Sequence, residues 1–198
     1  ALEKLREARE ELGVGFSEVA LAERAGVLVA RISLHLPFLG RVRRLSAESV
    51  VDMLENARRR IADQGRHDDG VARLYRTVEM YHQWRLSERS INTSEVDWKK
   101  VDENARRRFL EETGYAELPL FLDLMRARAL DHILNDDVPE DDAVLRDLLQ
   151  KRNHSILAHG LKPIEGKSAL RFLEYVDAMV GAPGDVRVGA EHATLRGL

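Results

Sequence analysis

Pro139-Glu140-Asp141-Asp142-Ala143-Val144-Leu145-Arg146-Asp147-Leu148-Leu149-Gln150-Lys151-Arg152-Asn153-His154-Ser155-Ile156-Leu157-Ala158-His159-Gly160 is the stretch that decides the fold. Proline suits a first helical turn, and the acidic residues after it oppose the positive end of the helix dipole. Val144, Leu145, Leu148, Leu149, Arg152, Ile156 and His159 then form one helical stripe, which Gly160 stops. At about 100° per residue, Arg152 and His159 lie only about 20° apart around the axis and roughly 10 Å apart along it. A guanidinium that stays charged and an imidazole that titrates near about pH 6.5 suit phosphate chemistry when they share a stripe. The plainer alternative makes Arg152 a surface ion-pair partner and His159 a C-terminal residue favoured by the helix dipole.

Working outward, nearly every periodic segment also reads as helix. Ser46 opens one with Val50, Val51, Leu54, Ala57 and Ile61 on its buried face, closed by Gly65. Asp68 or Asp69 is expected to cap the next, where Val71, Leu74, Tyr75, Val78 and Tyr81 or His82 keep the rhythm to about Leu86. Residues 87–95 read as a loop. Further helices are expected over about 97–113, ending at Gly114, and about 117–134, carrying Leu120, Leu124 and Ile133. A last one over about 166–180 presents Leu170, Leu173, Val176 and Met179 or Val180. The fold class is therefore all-α, a helical bundle with short loops. Residues 1–45 read as an N-terminal helical segment and linker, 46–184 as the main domain, and 185–198 as a tail that adds a short strand or stays disordered.

Composition sets the outer limits. With 198 residues, 44% hydrophobic and 33% charged, the chain can bury a real core. No apolar run approaches the roughly 20 residues of a membrane span, and no signal peptide is visible, so a cytoplasmic protein is expected. Without cysteine there is no disulfide framework and no thiolate metal site. A net charge of −3 gives no general affinity for polyanions, so any RNA contact must be local. The chain starts Ala1-Leu2-Glu3-Lys4 without an initiator Met, as a piece of a longer protein would, although processing or a tag scar would look the same.

Arg152-Asn153, five further residues and His159 resemble the Arg-polar-x(4–6)-His signature of the HEPN superfamily. Together with the run Asp69-Gly70-Val71-Ala72-Arg73-Leu74-Tyr75-Arg76-Thr77-Val78-Glu79, the chain resembles the C-terminal effector part of the CRISPR-associated HEPN ribonucleases of type III systems over roughly residues 50–180. The resemblance implies a metal-independent endoribonuclease, needing no cofactor, that cleaves single-stranded RNA. It also implies a homodimer whose two motif helices form one composite site, and activation by cyclic oligoadenylate bound to a CARF domain that would precede this chain. Arg152 and His159 are the implied catalytic residues, with Asn153 and Ser155 as supporting or RNA-binding residues. A toxin ribonuclease of a toxin-antitoxin pair, and a non-catalytic helical dimerisation module, are the competing expectations.

Other signals carry less. His67-Asp68 is the adjacent pair found in metal-dependent HD phosphohydrolases, yet no spacing ties His82 or His132 to it. The clusters Arg41 to Arg44, Arg58 to Arg60, Arg106 to Arg108, and Arg126 with Arg128 could line an RNA path. Acidic residues one turn away from several of them suit ordinary ion pairs instead. Trp84 and Trp98 are expected to pack at helix ends rather than stack on bases.

Overall fold

A computed structural model describes residues 45–136, 142–153 and 163–181. The segments expected within residues 1–44, the helix start at Pro139, and the tail at 185–198 lie outside the described residues. Among the described residues the fold is all-α, with six α-helices and no strand: α1 (Ala47–Arg58), α2 (His67–Glu88), α3 (Glu103–Thr113), α4 (Leu124–Asn135), α5 (Asp142–Asn153) and α6 (Gly166–Gly181).

Local chemistry accounts for most of the helix ends. Ser46 caps α1, its hydroxyl accepting from the Ser49 amide at 3.2 Å while Ser49 Oγ accepts from the Ser46 amide at 2.9 Å. The helix then widens into a π turn, Arg59–Asp63, in which the Gln64 amide reaches Arg59 O at 3.1 Å. Gly65 stops it at φ 62°, and Gly114 ends α3 at φ 71°, both in the left-handed region that glycine tolerates.

Four expectations need correction. Neither Asp68 nor Asp69 caps α2; the cap position is Arg66 with no side-chain hydrogen bond, and both carboxylates lie in the first helical turn. The helix expected from 97 is a 3-10 turn, Trp98–Lys100, then a break at Val101, with α3 starting after Asp102, whose carboxylate accepts from the Ala105 amide at 2.8 Å. The helix expected from 117 starts at Leu124, capped by Asp123 on the Arg126 amide at 3.0 Å. Pro119 biases Leu118 away from helical backbone. The Leu120 carbonyl accepts from Val96 N at 2.9 Å, and the Leu122 amide donates to Thr93 O at 2.8 Å, so this stretch runs alongside 93–96. Leu120 is accordingly 81% exposed rather than part of a helix face, and Leu170, named with Leu173 and Val176 in the last helix, is 46% exposed while those two are buried.

The 22-residue helix α2 packs against α1, α4, α5 and α6. One apolar cluster joins Val50 and Leu54 of α1, Leu74 and Val78 of α2, Leu145 of α5, and Phe172 and Val176 of α6. A second joins Leu86 and Ile91 with Val101, Phe109, Leu130 and Ile133. Both Phe109 and Phe172 are fully buried, and truncating such a ring to alanine costs about 3–5 kcal/mol. One close approach is specific to glycine: a Cβ at Gly70 would stand 2.3 Å from Ile61 Cγ1, so α2 begins with its backbone against the π turn.

Candidate phosphate-binding site

Helix α5 enters the bundle through Leu145, fully buried, with Val144 and Leu149 packed against the first cluster. Arg152 lies one turn after Leu149, which packs against the first cluster, and it is half-buried. The solvated ion-pair alternative does not describe it. Its guanidinium carbon sits 4.4 Å from the centroid of the Tyr75 ring on α2, a cation–π contact. Its Nη1 donates to the Asn153 side-chain oxygen at 3.1 Å. Among the described residues it pairs with no carboxylate.

The surroundings explain how that arises. Tyr75, read from the sequence as core, is half-buried and packs against the first cluster, which leaves a ring face for Arg152. Burial first, and then the Glu79 carboxylate, push its hydroxyl above the ordinary tyrosine range, while Arg152 opposes them. Glu79 itself is engaged by Arg76 at 2.5 Å, an i,i+3 pair along α2. Asp123, which also acts on Tyr75, is held by Arg126 at 3.4 Å and by its capping bond. Both carboxylates that influence the ring are therefore engaged by other arginines.

Asn153 is exposed and touches Arg152 directly. Ser155 and His159 lie outside the described residues, as does His154. The structure thus joins Arg152 to Asn153 and Tyr75.

Sequence reasoning missed a second polar group, buried between α2 and α4. Asp131 is fully buried and accepts from His82 Nδ1 at 2.8 Å, Arg85 Nε at 3.2 Å and Asn135 Nδ2 at 2.8 Å. Burial lowers the pKa of His82 despite its bond to Asp131, so the neutral ring donates from Nδ1 and Arg85 supplies the balancing charge. The His132 ring lies 5.6 Å away, tilted by 58° to that of His82, its pKa pushed down to about 4 by burial first, then by His82 and Arg128. Polar residues spaced at helical intervals on both helices, His82 with Arg85 and Arg128 with Asp131 and Asn135, were the available signal.

Several of the other arginines form solvated or structural pairs. Arg58 binds Asp177 at 2.5 Å, Arg60 reaches Asp69 at 3.3 Å, Arg73 pairs with Asp69, and Arg108 bridges to Asp136 at 3.0 Å. Arg126 lies over the rings of Tyr115 and Phe121 at 4.6 and 5.6 Å, while Arg128 is buried. Trp98 packs on Phe109 and donates to Pro119 O at 2.7 Å, and Trp84 is half-buried against the first cluster. His67 and Asp68 line a cleft of about 430 Å³ with Arg66, Pro163 and Ile164, where Asp68 accepts from the Ile164 amide at 3.3 Å. No group of three or more potential metal ligands occurs among the described residues. Nor, among them, is any helix long and apolar enough to cross a membrane.

No curated protein matches the sequence. A family model described as the Csm6 HEPN domain, however, matches residues 43–181, most of the chain and the whole of the helical domain just described. With an all-α bundle that carries Arg152 on the inward stripe of α5, the chain belongs to the Csm6 HEPN family, whose function is that of a CRISPR-associated ribonuclease.

Proposed function

We propose that this chain is a metal-independent endoribonuclease acting on single-stranded RNA, with Arg152 and His159 as its catalytic residues. RNA supplies its own nucleophile in the 2′-hydroxyl, so the protein must manage protons and offset the charge that gathers on the phosphorus-bound oxygens. Arg152 binds the scissile phosphate and offsets that charge. His159 performs proton transfer at a pH near its ordinary titration range. Asn153 orients the arginine or contacts RNA, and Ser155, one turn before His159, supports the imidazole. One helix supplies one Arg and one His, so the working site is composite, made by two copies of the chain meeting through their motif helices.

The observation that carries this reading is the state of Arg152, half-buried on an aromatic ring and, among the described residues, free of any carboxylate. In the cell the domain is the effector of a type III CRISPR defence protein, controlled by a CARF domain that binds cyclic oligoadenylate and lies outside this chain. Cleavage of a fluorescent single-stranded RNA in excess EDTA tests the chemistry. It is expected to survive the chelator and to vanish in Arg152→Ala and His159→Ala proteins of unchanged helicity and oligomeric state. Loss of cleavage in EDTA, or cleavage retained by both variants, refutes the reading.

A further inference from the structure

We propose that Tyr75 is the positioning residue for Arg152, a platform that fixes the guanidinium while leaving its hydrogen-bond donors available to a phosphate. The inference deepens the ribonuclease reading and rests on it. An arginine meant for a transient anion needs restraint, because a free side chain loses rotamer entropy when it binds. A carboxylate would supply that restraint, but through the same bidentate N–H geometry that a phosphate uses. An aromatic face restrains the cation electrostatically and has no lone pair to occupy the donors. Arg152 has the second arrangement: the Tyr75 ring at 4.4 Å and, among the described residues, a single N–H contact, to the neutral amide of Asn153.

The acidic neighbours fit the same reading. Glu79 and Asp123 act on Tyr75, yet Arg76 and Arg126 engage them. Arg58, Arg60, Arg73, Arg76 and Arg108 all meet carboxylates, whereas Arg152 meets a ring and no carboxylate among the described residues. Tyr75 stands on α2, the helix packed against α1, α4, α5 and α6, so the platform belongs to an element held from several sides. Its packing against the first cluster fixes the ring in turn.

Phenylalanine and progressively fluorinated phenylalanines at position 75 test this without changing shape, because each fluorine weakens the negative ring face while the apolar volume is nearly kept. Two quantities are read across the series: the single-turnover rate on fluorescent RNA, and the affinity for a uniformly 2′-O-methylated RNA that cannot be cleaved. Tyr75→Phe should stay within about two-fold of the parent. The most fluorinated ring should lower rate and affinity by up to about ten-fold, within the strength of a partly buried cation–π contact. In an Arg152→Ala background the same series should leave the affinity unchanged, because the two side chains act as one unit. A purely structural role would lower it in both backgrounds. A flat series in a protein that still needs Arg152 overturns the platform alone. Undiminished cleavage by Arg152→Ala overturns the catalytic reading, and the platform with it. If the parent chain does not cleave, the affinity series decides, and a flat one is refutation.

Discussion

Replacing Asp131 with alanine removes, in one step, the acceptor shared by His82, Arg85 and Asn135. The carboxylate is fully buried and the Arg85 side chain only 19% exposed, so water does not readily take its place. Breaking a buried ion pair from one side costs about 3–5 kcal/mol, because the remaining charge is left uncompensated. For a domain of this size each kcal/mol moves the melting midpoint by about 2–4 °C, which gives a fall of roughly 6–20 °C. Asp131→Asn keeps the shape and one acceptor oxygen and should fall between the parent and the alanine variant. The comparison is Glu112→Ala, whose exposed pair with Arg108 at 3.7 Å is worth about 0–1 kcal/mol. Thermal unfolding followed by circular dichroism at constant pH and salt reads all three. A midpoint for Asp131→Ala no lower than that of Glu112→Ala would refute the view that this cluster holds α2 to α4.

Gly70→Ala places a methyl group 2.3 Å from Ile61 Cγ1 and should destabilise by about 1–3 kcal/mol despite alanine's better helix propensity. Adding Ile61→Ala should relieve the clash, so denaturant titrations of the double variant should show Gly70→Ala costing less than it does alone. His132 has a folded pKa of about 4 against about 6.5 unfolded. The unfolded state therefore binds more protons between these values; this contribution is complete above about pH 6.5 and disappears as pH falls to about 4. After allowance for partial exposure it amounts to about 1–2 kcal/mol, and His132→Gln should flatten the acid limb of the stability curve; an unchanged limb would exclude it. Asp102→Ala removes the cap of α3 and should cost about 0.5–2 kcal/mol in the same titrations, with Asp102→Ser restoring most of it.

How much of this was legible in the sequence depended on how local the cause was. Ser46, Gly65 and Gly114 act on their own turns, and the helices they bound were readable. The pairing of Arg76 with Glu79 followed from spacing alone. The stretch 117–123 misled because Leu120 and Leu124 stand at helical spacing, whereas backbone bonds to Thr93 and Val96 keep residues 120–122 out of a helix. The place of Arg152 on an inward stripe was readable from α5. Its partner was not, since Tyr75 meets it only where α2 and α5 pack together. The Asp131 cluster was hidden for the same reason, with His82 and Asp131 49 residues apart in the chain.

The two apolar clusters bear on how this domain can change over time. The α2 residues up to Tyr81 belong to the first and Leu86 to the second, and the polar group of His82, Arg85 and Asp131 stands between them. The stretch from Ile91 to Leu122 contributes its buried side chains to the second cluster, while Arg152 and Tyr75 stand against the first. Substitutions in that stretch are felt mainly by Phe109, Leu130 and their neighbours. Lineages can therefore rework the α3 region, and engineers can place labels or tethers there, while the guanidinium and its ring keep their alignment.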